Sequence, residues 1–188
     1  MDFKKNKKII IGGFLAFVVV AWSAFFVVRR SYFVEREKME PYVLSNQALR
    51  NAVYDSIGAI HSELYADGKY YLPTEEWVLK SFYPAFKKDL FENNNVVYRP
   101  EANDCDDYSL YAIAFAKRYF NRGRTVKMPI AFGEFVYRVK NSTNNHAINI
   151  VAIQRGNSDQ EIMFFEPQTG RFIELTEEEK FSGYFVRF

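Results

Sequence analysis

The sequence predicts an α+β domain carried behind an N-terminal apolar helix, on three observations. Residues 9–28 contain no charged side chain. Between Gln47 and Asn121 the apolar positions recur at three and four, as on a helix face. Beyond Gly123 the period falls to two, as in strands. Helices first and strands afterwards describe an antiparallel sheet packed against helices.

The 188 residues suffice for one ordinary domain and an appendage. With 48% apolar and 26% charged residues, the chain is neither disordered nor a polytopic membrane protein. A single Cys excludes a disulfide framework and a Cys-rich zinc site, and two His leave little material for a histidine cluster. No metal and no cofactor are expected. The net charge of +2 is unevenly placed: residues 1–28 carry +3, leaving the remainder at −1. A nucleic-acid partner is therefore not expected.

The run IIIGGFLAFVVVAWSAFFVV at 9–28 would span about 30 Å as a helix, the thickness of a bilayer's hydrocarbon core. A core helix of that length would show a polar stripe. A cleaved signal would end its apolar run near Ser23, whereas Phe25–Val28 continue it. The expectation is an uncleaved single-pass anchor with the lipid bilayer as partner. Four basic residues lie on each side of the run, so the positive-inside bias is balanced. The signal-anchor pattern places the amino terminus in the cytoplasm and the domain on the opposite side. The expected parts are a basic tail and anchor (1–28), a juxtamembrane stalk (29–46) and the domain (47–188).

Within the domain, Ala48, Leu49, Ala52, Val53, Ile57, Ile60 and Leu64 mark an amphipathic helix over 47–64, and Asp67-Gly68 marks a turn. Thr74 before Glu75-Glu76 caps a second helix that runs to about Asp89, before Asn93-Asn94-Asn95. Asn103-Asp104 precedes a third, from Cys105 to Asn121-Arg122-Gly123. Strands are expected at 127–139, 146–154, 160–166, 171–175 and 184–188.

Three residues offer chemistry. Cys105 stands in the first turn of a helix, where free N–H groups and the macrodipole favour a thiolate, although Asp104, Asp106 and Asp107 oppose it. Taken alone, a small buried Cys filling a core gap is the simpler reading. His146 opens a strand, where a lone His is usually a satisfied surface residue. Glu166 ends an aromatic strand before Pro167 and could equally be a solvent-facing acid. If strands 146–154 and 160–166 pair as a hairpin, Glu166 comes beside His146. The order nucleophile, base, acid is stronger than any member alone. Asp106 and Asp107 compete for the acid's role but share a helix with Cys105.

The strings Asn103-Asp104-Cys105-Asp106-Asp107-Tyr108, His146-Ala147-Ile148-Asn149 and Phe165-Glu166-Pro167-Gln168-Thr169 resemble the transglutaminase-like cysteine peptidases of the papain-like superfamily. The likeness is to bacterial and phage-borne members and covers about residues 70–175. It implies Cys105 as nucleophile, His146 as general base and Glu166 as orienting acid, where many members have Asp. An oxyanion-hole side chain would come from Asn103 or Gln168, with the Cys105 N–H as the default donor. The implied function is a membrane-anchored cysteine hydrolase or acyltransferase, cleaving amide bonds of a peptide or protein substrate through a thioester. The alternative is a non-catalytic membrane-tethered binding or structural module with the same fold.

Overall fold

The β-rich second half forms a hairpin series because its residues alternate between two faces that are both covered. In the structure, a computed structural model describing residues 42–188 apart from 101, 102, 126, 157 and 158, the strands β4 (Phe132–Arg138), β5 (Asn145–Arg155), β6 (Asp159–Glu166) and β7 (Arg171–Ile173) run antiparallel in sequence order. The last strand, β8 (Phe185–Arg187), pairs antiparallel with the free edge of β4, and β2 (Ser62–Leu64) adds to β8 in parallel. The six-stranded order is therefore β2-β8-β4-β5-β6-β7. A separate antiparallel pair joins β1 (Val43–Ser45) to β3 (Lys69–Tyr71).

Along β5, Ile148, Ile150 and Ala152 enter one apolar cluster while Val151 and Ile153 enter the other. The first cluster is closed by Leu49, Val53 and Ile57 of helix α1 (Asn46–Ile57). The second is closed by the next two helices in the chain. Helix α2 comprises wide π turns at Trp77–Phe82 and Lys88–Asn93 on either side of an α-helical segment, Tyr83–Lys87, with Pro84 in its first turn. Helix α3 is Cys105–Phe120, and a short α4 covers Glu177–Phe181. Phe82 is the hub of the second cluster, with the rings of Trp77, Phe86, Phe115, Phe132 and Phe165 all within 6.1 Å. A fully buried side chain of this kind contributes ~1.5–3 kcal/mol.

Several expectations are corrected here. The helix expected over 47–64 ends at Ile57, because Gly58 at φ 74° closes it and donates its N–H to Tyr54. Residues 62–64 are the exposed strand β2. The helix-first order fails, since β1, β2 and β3 precede the helices of the second cluster. The sheet is mixed rather than antiparallel. The anchor expected at 9–28, residues 29–41 of the stalk expected at 29–46, and the amino-terminal orientation fall outside the described residues, while Val43–Ser45 of that stalk form β1 and Asn46 opens α1. Among the described residues no helix is long and apolar enough to cross a membrane.

The turn after Glu166 shows how tightly one end of the sheet is built. Gly170 sits at φ 71°, donates its N–H to Glu166 O at 2.8 Å, and would carry any Cβ 2.0 Å from the Tyr83 ring. Gly156, at φ 58°, has nothing within 4 Å of such a Cβ. Gly170→Ala is expected to cost about 2–4 kcal/mol, from left-handed strain plus overpacking. Gly156→Ala is expected to cost only about 1–2 kcal/mol, the strain alone. Urea unfolding of the two variants measures the difference, and equal losses would show that the Tyr83 contact contributes nothing.

Candidate functional site

Cys105, His146 and Glu166 come from three elements whose relative positions are fixed by buried polar contacts. Asp104, extended at φ −95° and ψ −159°, is the residue before α3, so the helix begins at Cys105 with its free amides around the thiol. One turn further in, Ser109 is fully buried and donates its hydroxyl to Ile148 O at 3.3 Å. The Asn149 amide group donates to Ser109 O at 3.1 Å, to Ser109 Oγ at 3.0 Å and to Gly133 O at 3.0 Å. Helix α3 is thereby clamped to β4 and β5 directly beneath Cys105 and His146.

The register of β5 with β6 sets Asn149 opposite Phe165. Two-residue alternation then places His146 and Glu166 on the same face near one end of the sheet. His146 Nε2 meets Glu166 Oε2 at 2.8 Å, and the carboxylate's other oxygen accepts the Gln168 N–H at 3.1 Å. The Tyr137 ring stands edge-on to the imidazole at a centroid distance of 5.9 Å. With Nε2 held by Glu166, the other ring nitrogen is left for the Cys105 thiol. That hydrogen bond is the main cause lowering the thiol's pKa, opposed by burial and helped by the Ala147 N–H. The same contact, followed by Glu166, raises the His146 pKa to about 9 against the cost of burial. Each partner thus favours the other's charged form, a thiolate beside an imidazolium.

The structure therefore brings together all three residues named from sequence as a possible triad. The two candidates for an oxyanion-hole side chain both flank the group. Gln168 is tied through its backbone to Glu166, and Asn103 pairs through its backbone with Arg99. Asp106 and Asp107 remain on α3. With Asp104 they form a cluster whose carboxylate oxygens lie within 4.8 Å of one another, close enough to hold a cation. A hydrogen bond to Asp104 is the main cause raising the Asp106 pKa. Sequence reasoning missed Glu134, buried in β4, 2.8 Å from Arg187 Nε of β8. Burial raises its pKa while Arg187 lowers it. Strand β4 carries a single acid, Glu134, and a single cation, Arg138 at its end, and its pairing with β8 spans about fifty residues, so no local signal marked the pair.

The comparisons with known proteins correct the family. A family model described as Agglutinin C-terminal matches residues 71–172, more than half of the chain. A solved structure titled "PSL1a-E64 complex" shares the fold with a TM-score of 0.61 at 20% identity, covering 78% of this chain and 51% of that one. The Polyporus squamosus lectin, solved bound to the human-type influenza-binding epitope Neu5Aca2-6Galb1-4GlcNAc, has a TM-score of 0.58 at 21% identity, covering 78% and 49%. This chain thus spans about half the length of those structures. No curated protein matches it. The transglutaminase-like, papain-like reading, its bacterial or phage type, and the cysteine-protease activity drawn from it are withdrawn, because the family and fold that match are those of agglutinins and lectins. The peptide or protein substrate drawn from that reading goes with it, while the bilayer partner rests on residues 9–28, outside the described residues. The chain belongs to the Agglutinin C-terminal family.

Proposed function

We propose that this domain is a carbohydrate-binding module and that the polar cleft at the amino end of α3 is where the ligand sits. The carrying observation is the family match over residues 71–172, supported by a fold in common with a lectin solved with a glycan epitope. The cleft suits a hydroxyl-rich ligand. His146, Glu166 and Cys105 present polar atoms held in fixed positions by one another and by the Asn149 clamp. Ordering these groups before binding lowers the entropic cost of recognition. Tyr98, half exposed, adds an aromatic face one residue from the Arg99–Asn103 pairing. The site residues act here as binding groups around a charged thiolate.

The test is an immobilised glycan panel that includes Neu5Acα2-6Galβ1-4GlcNAc, probed with the full chain and with His146→Ala and Glu166→Gln. At least one glycan should be retained, with retention reduced tenfold or more in both variants. A folded chain that retains no glycan overturns the module. Retention unchanged in both variants overturns the cleft.

The charged pair has its own signature in iodoacetamide alkylation of Cys105 across pH. The rate should stay high well below the ordinary thiol pKa of ~8.5, falling only as the depressed thiol gains its proton. Above about pH 9 the imidazole loses its proton while the thiolate persists, so the rate should not drop there. In His146→Ala the midpoint should move back up towards the ordinary value. A midpoint at or above that value in the unaltered chain would remove the thiolate from the site.

A further inference from the structure

The carboxyl end of α3 borders a second concavity that the carbohydrate reading does not use. It encloses about 880 Å³ between α2, the end of α3 and the loop that follows, within the ~300–1,000 Å³ range of small-ligand sites. Lys88 comes from α2, Lys117 and Arg118 from α3, and Arg122 and Lys127 from the loop, against one acid, Asp89. Asp89 is engaged by Arg118 at 3.5 Å. Lys88, Lys117, Arg122 and Lys127 form no ion pair with any described residue.

Complementing the helix dipole accounts for Lys117 and Arg118. It does not account for the other three cations, which converge on the same space from different elements. Nor does the helix end need them as caps: Asn121 Nδ2 donates to Lys117 O at 3.0 Å and Arg124 Nε to Phe120 O at 3.0 Å. Asn121 also ties the loop shut, donating to Met128 O at 3.0 Å and accepting the Met128 N–H at 3.2 Å. Arg122 and Lys127 are thus carried on a braced loop. On the α3 side Phe115 and Tyr119 stack at 5.5 Å, with the Arg118 guanidinium 5.3 Å above Phe115. Outside residues 1–28 the chain is net −1, so five cations around one cavity are a local concentration and not a general basicity.

We infer that this groove binds a small polyanion carrying several phosphate or sulfate ester groups. Five cations exceed what a single carboxylate ligand would neutralise. Two arginines supply the planar fork that fits tetrahedral oxyanions, and the aromatic pair supports the ring that bears them. This site is at the opposite end of α3 from the proposed glycan cleft and does not depend on it.

The experiment is isothermal titration of the full chain with inositol hexakisphosphate and, separately, with a fully sulfated heparin tetrasaccharide, at low and at high salt. At least one probe should bind at one per chain, weakening at least tenfold at the higher salt. Lys88→Glu combined with Arg122→Glu should weaken it a further tenfold or more. Both side chains are exposed, so the melting curve should not move. Lys69→Glu with Arg138→Glu, exposed positions away from the groove, should leave the affinity within twofold. The two probes separate a phosphorylated polyol from a sulfated sugar. Three results overturn the assignment: no saturable binding of either probe, equal weakening in both charge-reversal pairs, or binding lost in His146→Ala and kept in Lys88→Glu/Arg122→Glu.

Discussion

The Asn149 side chain is the constraint on which the rest of the site depends. A single buried amide holds the backbone and hydroxyl of Ser109 on α3 and the carbonyl of Gly133 on β4. Cys105 is four residues, about one turn, before Ser109, and His146 is three residues before Asn149. A displacement of α3 by one helical rung would break both Asn149 bonds to Ser109 and the Ser109–Ile148 bond in a dry interior, where each orphaned group costs about 1–3 kcal/mol. The distance between thiol and imidazole is therefore set by a contact that touches neither. Apolar packing around Phe82 brings the helix to the sheet, but smooth rings tolerate sliding. The polar clamp selects one position among those that packing allows.

Charge is distributed along α3 in the same sense as its dipole. Three acids and the Cys105 thiol crowd its amino end, and lysine and arginine its carboxyl end. Whichever of Cys105 and His146 holds the shared proton, the pair is neutral as a unit, so the negative potential at that end comes mainly from Asp104, Asp106 and Asp107, with Glu134 matched by Arg187. One helix thus separates two surfaces of opposite sign.

The sequence made the long elements and the three polar residues of the cleft legible, for identifiable reasons. Helix α3 has sixteen residues of regular periodicity with a capping position before it and a glycine turn after it. Strands β4, β5 and β6 alternate over seven to eleven residues. The short pieces at the start of the domain were not legible. β1, β2 and β3 have three residues each, too few to show a period, and β2 exists because β8 offers it an edge more than a hundred residues away. The π turns of α2 break the 3.6 spacing that would have dated their boundaries. The family was misread for a different reason. Cys, His and Glu at the starts and ends of elements are three positions among 188, and sites of similar composition recur on unrelated folds. The agglutinin family match extends over residues 71–172, a length that no short string covers.

The place of β8 has a consequence for how the chain acquires its structure during synthesis. The last strand lies inside the sheet, between β2 and β4, and not at its margin. Until Phe185–Arg187 leave the ribosome, the β4–β7 hairpins present β4 as an unpaired edge and β2 has nothing to join. Val136 and Phe135 of β4 await partners that are translated some fifty residues later. Until those three residues are made, the nascent chain holds an open, apolar-flanked edge of the kind that recruits another edge between neighbouring polypeptides.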